Sequence, residues 1–148
     1  MTTVEDLMST DVVSLDAGQD VVLALAVMDL RRIRHLPVTE KGALVGLISH
    51  RDLLRAQARF LEQIRDDQGS REPAAKRFVS VRASEIMTDD VATVEPGTPA
   101  AEAARILLDQ KIGCLPVVSG GTLVGIVTEA DFLRWAIDRL DERPGAAD

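Results

Sequence analysis

Apolar positions recur along this chain with a helical period in some stretches and as short continuous runs in others, and the order of those stretches repeats. Val21, Ala24, Leu25 and Met28 follow the i, i+3, i+4, i+7 spacing of one buried helix face, with Asp20 placed to cap the helix. Ala100, Ala103, Ala104 and Leu107 take the same spacing behind Thr98 and Pro99, a helix-start signal, and their smaller side chains predict closer packing. Runs at Leu36–Thr39 and Leu44–Ile48, then at Leu115–Val118 and Leu123–Val127, predict two pairs of strands. Lys41-Gly42 and Gly120-Gly121 between them predict hairpins, because glycine reaches positive φ without steric cost. Beyond Asp52 the pattern is helical again, through Leu53, Leu54, Phe60, Leu61 and Ile64; beyond Asp131 it runs through Phe132, Leu133, Trp135, Ile137 and Leu140.

Displaced by 79 positions, Val4 to Arg55 falls on Ala83 to Arg134 without a gap, and 16 of the 52 aligned positions are identical. Composition alone gives about three or four, so one structural unit has been duplicated. Each copy reads as a short helical turn, a strand, a helix, two hairpin strands and a second helix. The expected organisation is a first repeat over 1–65, a connector over 66–82, a second repeat over 83–141 and a flexible tail over 142–148. The connector follows from DDQGSREPAAKR at 66–77, which mixes charge, Gly and Pro with no apolar period, and the tail from ERPGAAD.

With 148 residues and 46% hydrophobic content the chain can bury a core, and 3% aromatic residues make that core aliphatic. A formal net charge of -7 argues against wholesale nucleic-acid binding, which needs basic surface to displace counterions from phosphates. Cys114, the single cysteine, cannot form an intramolecular disulfide, and MTTVEDLMST lacks the basic and apolar regions of a secretory signal; a reducing cytoplasm is the expected location. The longest apolar run, Val21 to Met28, falls far short of the roughly 20 residues that span a bilayer, so no membrane insertion is expected.

Gly46 to Asp52 and Gly125 to Asp131 share the pattern G-h-h-[ST]-x-x-D, where h is apolar, at a strand-to-helix junction. Two readings stand. A hydroxyl followed three residues later by an acid forms a capping box that satisfies free amides of the first helical turn. The same helix N-terminus also suits an anionic, polyhydroxylated ligand: the hydroxyl donates to a phosphate and the carboxylate accepts from vicinal sugar hydroxyls. Gly46 and Gly125 would let a ligand approach the backbone, or else mark strand bulges.

In order, spacing and duplication, the D-L-M-S-T-D-V and E-I-M-T-D-D-V segments, the R-H-L-P-V and G-C-L-P-V strands and both [ST]-x-x-D junctions resemble a pair of cystathionine-beta-synthase-type (CBS) domains, from Val4 to Leu140. The resemblance implies an α/β (α+β) fold of two β-α-β-β-α units packed through their sheets about a pseudo-twofold axis. It implies clefts between them that bind AMP, ADP, ATP or S-adenosylmethionine. Carried onto this chain, Asp52 and Asp131 would accept the ribose hydroxyls, and Ser49 and Thr128 would contact ribose or phosphate. Adenine would lie against Thr10, Val12, Val13, His35 and Pro37, or against Asp89, Val91, Ala92, Cys114 and Pro116.

The copies diverge at the junctions. Arg34, His35, His50 and Arg51 in the first correspond to Gly113, Cys114, Glu129 and Ala130 in the second. Phosphate favours arginine and disfavours a nearby carboxylate, so the phosphorylated ligand is expected at the first junction. His35 and His50 lack partners at zinc-ligand spacing, and Cys114 in an apolar strand reads as an inert packing residue. Arg31-Arg32 with Arg34 reads as a solvated helix end from which an arginine could reach a polyphosphate. Asp66-Asp67 and Asp89-Asp90 read as solvated loops, with magnesium entering only alongside ATP. No nucleophile-base set and no G-x-x-x-x-G-K-[ST] loop is present, so a regulatory module is expected and not an enzyme. It would signal to an unknown effector protein or to a second subunit, with apolar helix faces near Phe60, Leu61, Ile64 and Trp135 forming a homodimer surface. The alternative is a ligand-free dimerisation module whose junctions serve only as helix caps.

Overall fold

The computed structural model describes residues 1–66 and 81–142; the expected tail beyond 142, most of the connector and the side chains of Ile64 and Asp66 lie outside what it describes. A 3-10 turn, Val4–Asp6, is followed by β1 (Leu15–Asp16), α1 (Val21–Arg31), β2 (His35–Glu40), β3 (Ala43–Ser49) and α2 (His50–Asp66). Then come α3 (Ala83–Ile86), α4 (Ala100–Gln110), β4 (Cys114–Ser119), β5 (Thr122–Thr128) and α5 (Glu129–Asp141), giving a mixed α+β chain. No helix among the described residues is long and apolar enough to cross a membrane.

The hairpins close where the glycines predict. Lys41 and Gly42 have φ of 51° and 81°, and Gly120 and Gly121 have 57° and 82°. Positive φ at both central residues is the type I′ turn, whose twist matches that of the strands it joins. Register then slips once in each hairpin: Val38 faces Gly46 while Thr39 faces Leu44, and Val117 faces Gly125 while Val118 faces Leu123. Val45 and Val124 are therefore the extra residues of two equivalent bulges.

The chain forms two compact units, Val13–Val91 and Met1–Val12 with Ala92–Asp148. In the first, β1 runs parallel to β2, β2 pairs antiparallel with β3, and α1 and α2 pack on the strands. Its core joins Leu15, Val21, Ala24, Met28, Leu36, Val38, Ile48, Leu53 and Ala83. In the second, β4 pairs antiparallel with β5, Val94 bridges Val117 in parallel, and α4 and α5 pack on the hairpin. Its core joins Val4, Val94, Ala103, Leu107, Leu115, Val117 and Val127. Asp20 is the N-cap residue of α1, but its side chain makes no capping hydrogen bond; α4 is entered through Pro99.

Val4 and Ala83 occupy equivalent repeat positions, and each is buried in the core of the other repeat's helices and strands. Backbone bonds repeat this exchange. Val4 N–H donates to the Thr98 carbonyl and Ala100 N–H to that of Thr2, both at 2.9 Å. Ala83 N–H donates to Gln19 at 2.7 Å and Val21 N–H to Val81 at 2.9 Å. The first amides of α1 and α4, which no intrahelical carbonyl can reach, are thus satisfied by the lead-in of the opposite repeat.

Candidate functional site

Hairpin register brings several of the predicted residues together within each unit. His35 pairs with Ser49 across β2 and β3, and Pro37 with Leu47; Cys114 pairs with Thr128 across β4 and β5, and Pro116 with Ile126. His35 and Pro37, like Cys114 and Pro116, are two residues apart and share a strand face. At the helix starts, His50 N–H donates to the Arg34 carbonyl at 2.8 Å and Glu129 N–H to that of Gly113 at 3.1 Å. Strand end and helix start are thereby pinned together.

The first junction closes a reciprocal capping box. Ser49 N–H donates to Asp52 Oδ2 at 2.8 Å, and Asp52 N–H donates to Ser49 Oγ at 3.1 Å. Asp52 Oδ1 accepts nothing from the described residues. Exposed Arg34 and Arg51 make no ion pair among them either, and His50 is half-buried.

The second junction is wired differently. Thr128 N–H and Thr128 Oγ1 both donate to Asp131 Oδ2, at 2.8 and 3.1 Å, so one carboxylate oxygen takes both donors of this residue. Arg134 Nη1 takes the other oxygen, Oδ1, at 2.8 Å. Glu129 and Ala130 stand exposed where the first junction has His50 and Arg51.

The remaining predicted residues divide between the units. Val13 packs on the core that holds Leu36, and Ala92 on the core that holds Leu115. Thr10 and Val12 belong to the unit of β4 and β5, whereas Asp89 and Val91 belong to the unit of β2 and β3. Cys114 is buried, and desolvation pushes its thiol from 9.0 up to about 12, which keeps it protonated and unreactive at neutral pH. Exposed Asp89 and Asp90 gather no third ligand, and no group of three His, Cys, Asp or Glu able to hold a metal occurs among the described residues. Of the residues expected at a homodimer surface, Leu61 is exposed, Phe60 is half-buried and Trp135 carries Arg139 over its ring at 4.9 Å.

The glycines at matching positions of the two hairpins lie close against other protein groups. A Cβ on Gly46 would overlap Met87 Sδ and stand 3.0 Å from the Thr88 carbonyl oxygen; one on Gly125 would stand 2.7 Å from Met8 Sδ and 3.1 Å from the Ser9 carbonyl oxygen. Leu47 and Thr88 exchange two backbone bonds of 2.9 Å, and Ser9 and Ile126 exchange bonds of 2.9 and 3.0 Å. Met8 and Met87 are thus the residues that sequence reasoning left without a role. Their signal was their identity in register within the two lead-ins. Arg134, also missed, was readable from its i, i+3 spacing to Asp131.

A family model, CBS domain, matches residues 4–59 and 83–138. A CBS domain-containing protein of Dictyostelium discoideum is 31% identical over 144 residues, covering 95% of each chain. Among solved structures, a putative acetoin utilization protein (AcuB) from Vibrio cholerae is 32% identical with a TM-score of 0.79, covering 100% of this chain and 99% of its own. CBSX2, a CBS-pair protein of Arabidopsis thaliana, was solved in complex with AMP and is 27% identical (TM-score 0.77; 95% of this chain, 99% of that one). The CBS domain pair of protein MJ0100, in complex with 5′-methylthioadenosine and S-adenosyl-L-methionine, is 26% identical (TM-score 0.76; 94% and 98%).

Proposed function

The chain belongs to the CBS-domain family, and from that membership we propose that it is a regulatory module that binds an adenosine-containing ligand at its strand-to-helix junctions. Binding favours one conformation over another, and an effector protein or a second subunit reads the difference. The observation that carries this reading is the first junction: a helix N-terminus at which one oxygen of Asp52 is uncommitted and exposed Arg34 and Arg51 lack acidic partners among the described residues. CBSX2 with AMP and MJ0100 with S-adenosyl-L-methionine support the ligand class.

Ser49 and Asp52 would hold the ribose, and Arg34, His50 and Arg51 would face the phosphate. Glu129, and Asp131 tied to Arg134, leave the second junction to an uncharged adenosyl group or to no ligand. Magnesium would enter only with ATP. No catalytic step is assigned to any residue, and the protein would act in the cytoplasm.

Titration calorimetry with AMP tests the asymmetry: one dominant site is expected, and two equal, independent sites would overturn it. A thermal-shift series with adenosine, AMP, ADP, ATP and S-adenosylmethionine tests the class. Ligand at 100 times its Kd stabilises by about 2.7 kcal/mol, or roughly 5 to 10 °C at this chain length. Both acidic residues accept from the amides of their own capping residues, and this favours one second reading, a ligand-free dimerisation module. Absence of any shift across the series would select it.

A further inference from the structure

The chain has four methionines, and they stand in three different environments. Met1 is fully exposed, Met28 is buried in the first core at 2% exposure, and Met8 and Met87 are half-buried at equivalent repeat positions. Beside the last two, Leu7 corresponds to Ile86 and Ser9 to Thr88, so the copies differ on both sides of a thioether that they share. Met8 packs on the core of Leu115 and Met87 on that of Leu36, each within its own compact unit.

Each sulfur fills the space that a side chain on the facing glycine would have taken, Met8 over Gly125 and Met87 over Gly46. The backbone donors around both seats are already committed. Met8 N–H donates to Val4, Met87 N–H to Ala83, and the amides of Ser9 with Ile126 and of Leu47 with Thr88 serve each other's carbonyls. The Ser9 and Thr88 carbonyl oxygens beside the glycines accept and cannot donate. A thioether, being a weak acceptor, loses little in such a seat. A sulfoxide oxygen is a strong acceptor facing other acceptors, and a buried polar group without a partner is costly. Oxidation therefore turns the side chain out toward water, which withdraws apolar surface from the core and uncovers the adjoining backbone bridge.

We propose that Met8 and Met87 are paired oxidation sites for peroxides, and that their conversion to sulfoxide releases the lead-ins from β5 and β3. The sulfur lone pair attacks one peroxide oxygen, so an S–O bond forms as the O–O bond breaks and two electrons pass from sulfur to the peroxide. The proton of the transferred oxygen goes to the departing hydroxide, which leaves as water. A methionine sulfoxide reductase supplied with a dithiol reverses the change, the dithiol becoming a disulfide and the oxygen leaving as water. Gly46 and Gly125 lie three residues ahead of Ser49 and Thr128, so each release acts on the strand that carries a junction. This response rests on packing within each unit and stands whether or not the junctions bind a nucleotide.

Hydrogen peroxide titration of the full chain tests it, read by peptide mass spectrometry, thermal melts and hydrogen exchange. Met1, Met8 and Met87 should each gain one oxygen while buried Met28 stays reduced, and the melting temperature should fall by roughly 5 °C or more as Met8 and Met87 react. Amide protection should drop about tenfold or more in the peptides that hold Ser9, Ile126, Leu47 and Thr88. Met8→Leu with Met87→Leu, a sulfur-free and volume-conserving pair, should keep its protection and melting temperature in peroxide although Met1 still oxidises. Met8→Leu alone should confine the loss to Leu47 and Thr88. Met8 and Met87 that stay reduced once Met1 is fully converted, or a converted chain that keeps its protection, overturns the proposal. A leucine pair that loses protection as the wild type does overturns it too. Circular dichroism verifies that the variants are folded, and where they are not, the wild-type chain before and after conversion decides alone.

Discussion

At the end of β3, Asp52 commits one carboxylate oxygen to the amide of Ser49 and keeps the other; at the end of β5, Asp131 commits both, one to Thr128 and one to Arg134. The backbone around the two sites is nearly the same, down to the bulge, the hairpin turn and the amide that ties helix to strand. Arg134 itself is not the decisive difference. Its side chain is 72% exposed, and such a pair contributes only about 0.2–1 kcal/mol. Replacement of His50 and Arg51 by Glu129 and Ala130 weighs more, because it removes a cationic donor and adds a carboxylate where a phosphate would lie. Duplication thus preserved the frame and altered the chemistry mounted on it.

Core truncation gives the largest expected effect and tests the sameness of the frames. Leu36→Ala and Leu115→Ala, both wholly buried and in equivalent strands, should each cost about 2–5 kcal/mol in urea unfolding. A difference beyond about 2 kcal/mol between them would show that the two cores are not equivalent. Next comes the difference between the junctions. Asp52→Asn should weaken AMP binding about 10- to 100-fold, the range for a hydrogen bond to a charged group, while Asp131→Asn leaves the main site unchanged. Apo stability should fall little, since an amide oxygen still accepts from Ser49 N–H. Equal losses of AMP affinity in both variants would erase the asymmetry.

Gly46→Ala should cost about 1–3 kcal/mol by overpacking against Met87 and the Thr88 carbonyl, and Gly125→Ala somewhat less, because its carbonyl neighbour lies slightly farther off. Reversal of that order in thermal melts would place the tighter approach in the other unit. The smallest effect is alkaline and confined to the unit of Cys114. Its folded thiol titrates near 12 against 9.0 for a thiol in water, so the neutral form it favours contributes stability that is whole below pH 9 and lost as pH rises from 9 toward 12. The slope approaches about 1.4 kcal/mol per pH unit. Cys114→Ala should remove that component, while the wild-type thiol stays unmodified by a thiol reagent at about pH 8.

Helices and hairpins were legible because their signals are local. The apolar spacing of α1 and α4 and the turn chemistry of Lys41-Gly42 and Gly120-Gly121 each depend on a few adjacent residues. Strand limits were underestimated by one residue at each end, since Glu40 and Ala43 extend the ladder beyond the apolar run. β1 is only two residues long, and its counterpart at Val94 is a single bridge, so neither shows much alternation for a pattern to reveal. The exchange of lead-ins was hidden for a different reason: nothing local to Val4 or Ala83 names the core it enters, and only long-range packing decides it. That exchange also explains why Thr10 and Val12 part from His35 and Pro37, and why Gly46 and Gly125 admit a methionine side chain and its neighbouring backbone. At the junctions the capping pattern was readable in full.

Reciprocal burial of Val4 and Ala83 bears on how such a chain could have arisen. A polypeptide holding one repeat would have a lead-in with no core of its own to enter and a core whose first helical amides lacked acceptors. Two separate copies could complete one another only above some threshold concentration, by trading identical arms. Joining them replaces that encounter with ring closure, whose entropic cost grows only as about (3/2)RT ln n with tether length n. The effective concentration of each arm near its acceptor is then set by the tether, in the millimolar range for a short flexible one, and no longer by expression level. Fusion of the repeats would thus have made folding independent of abundance.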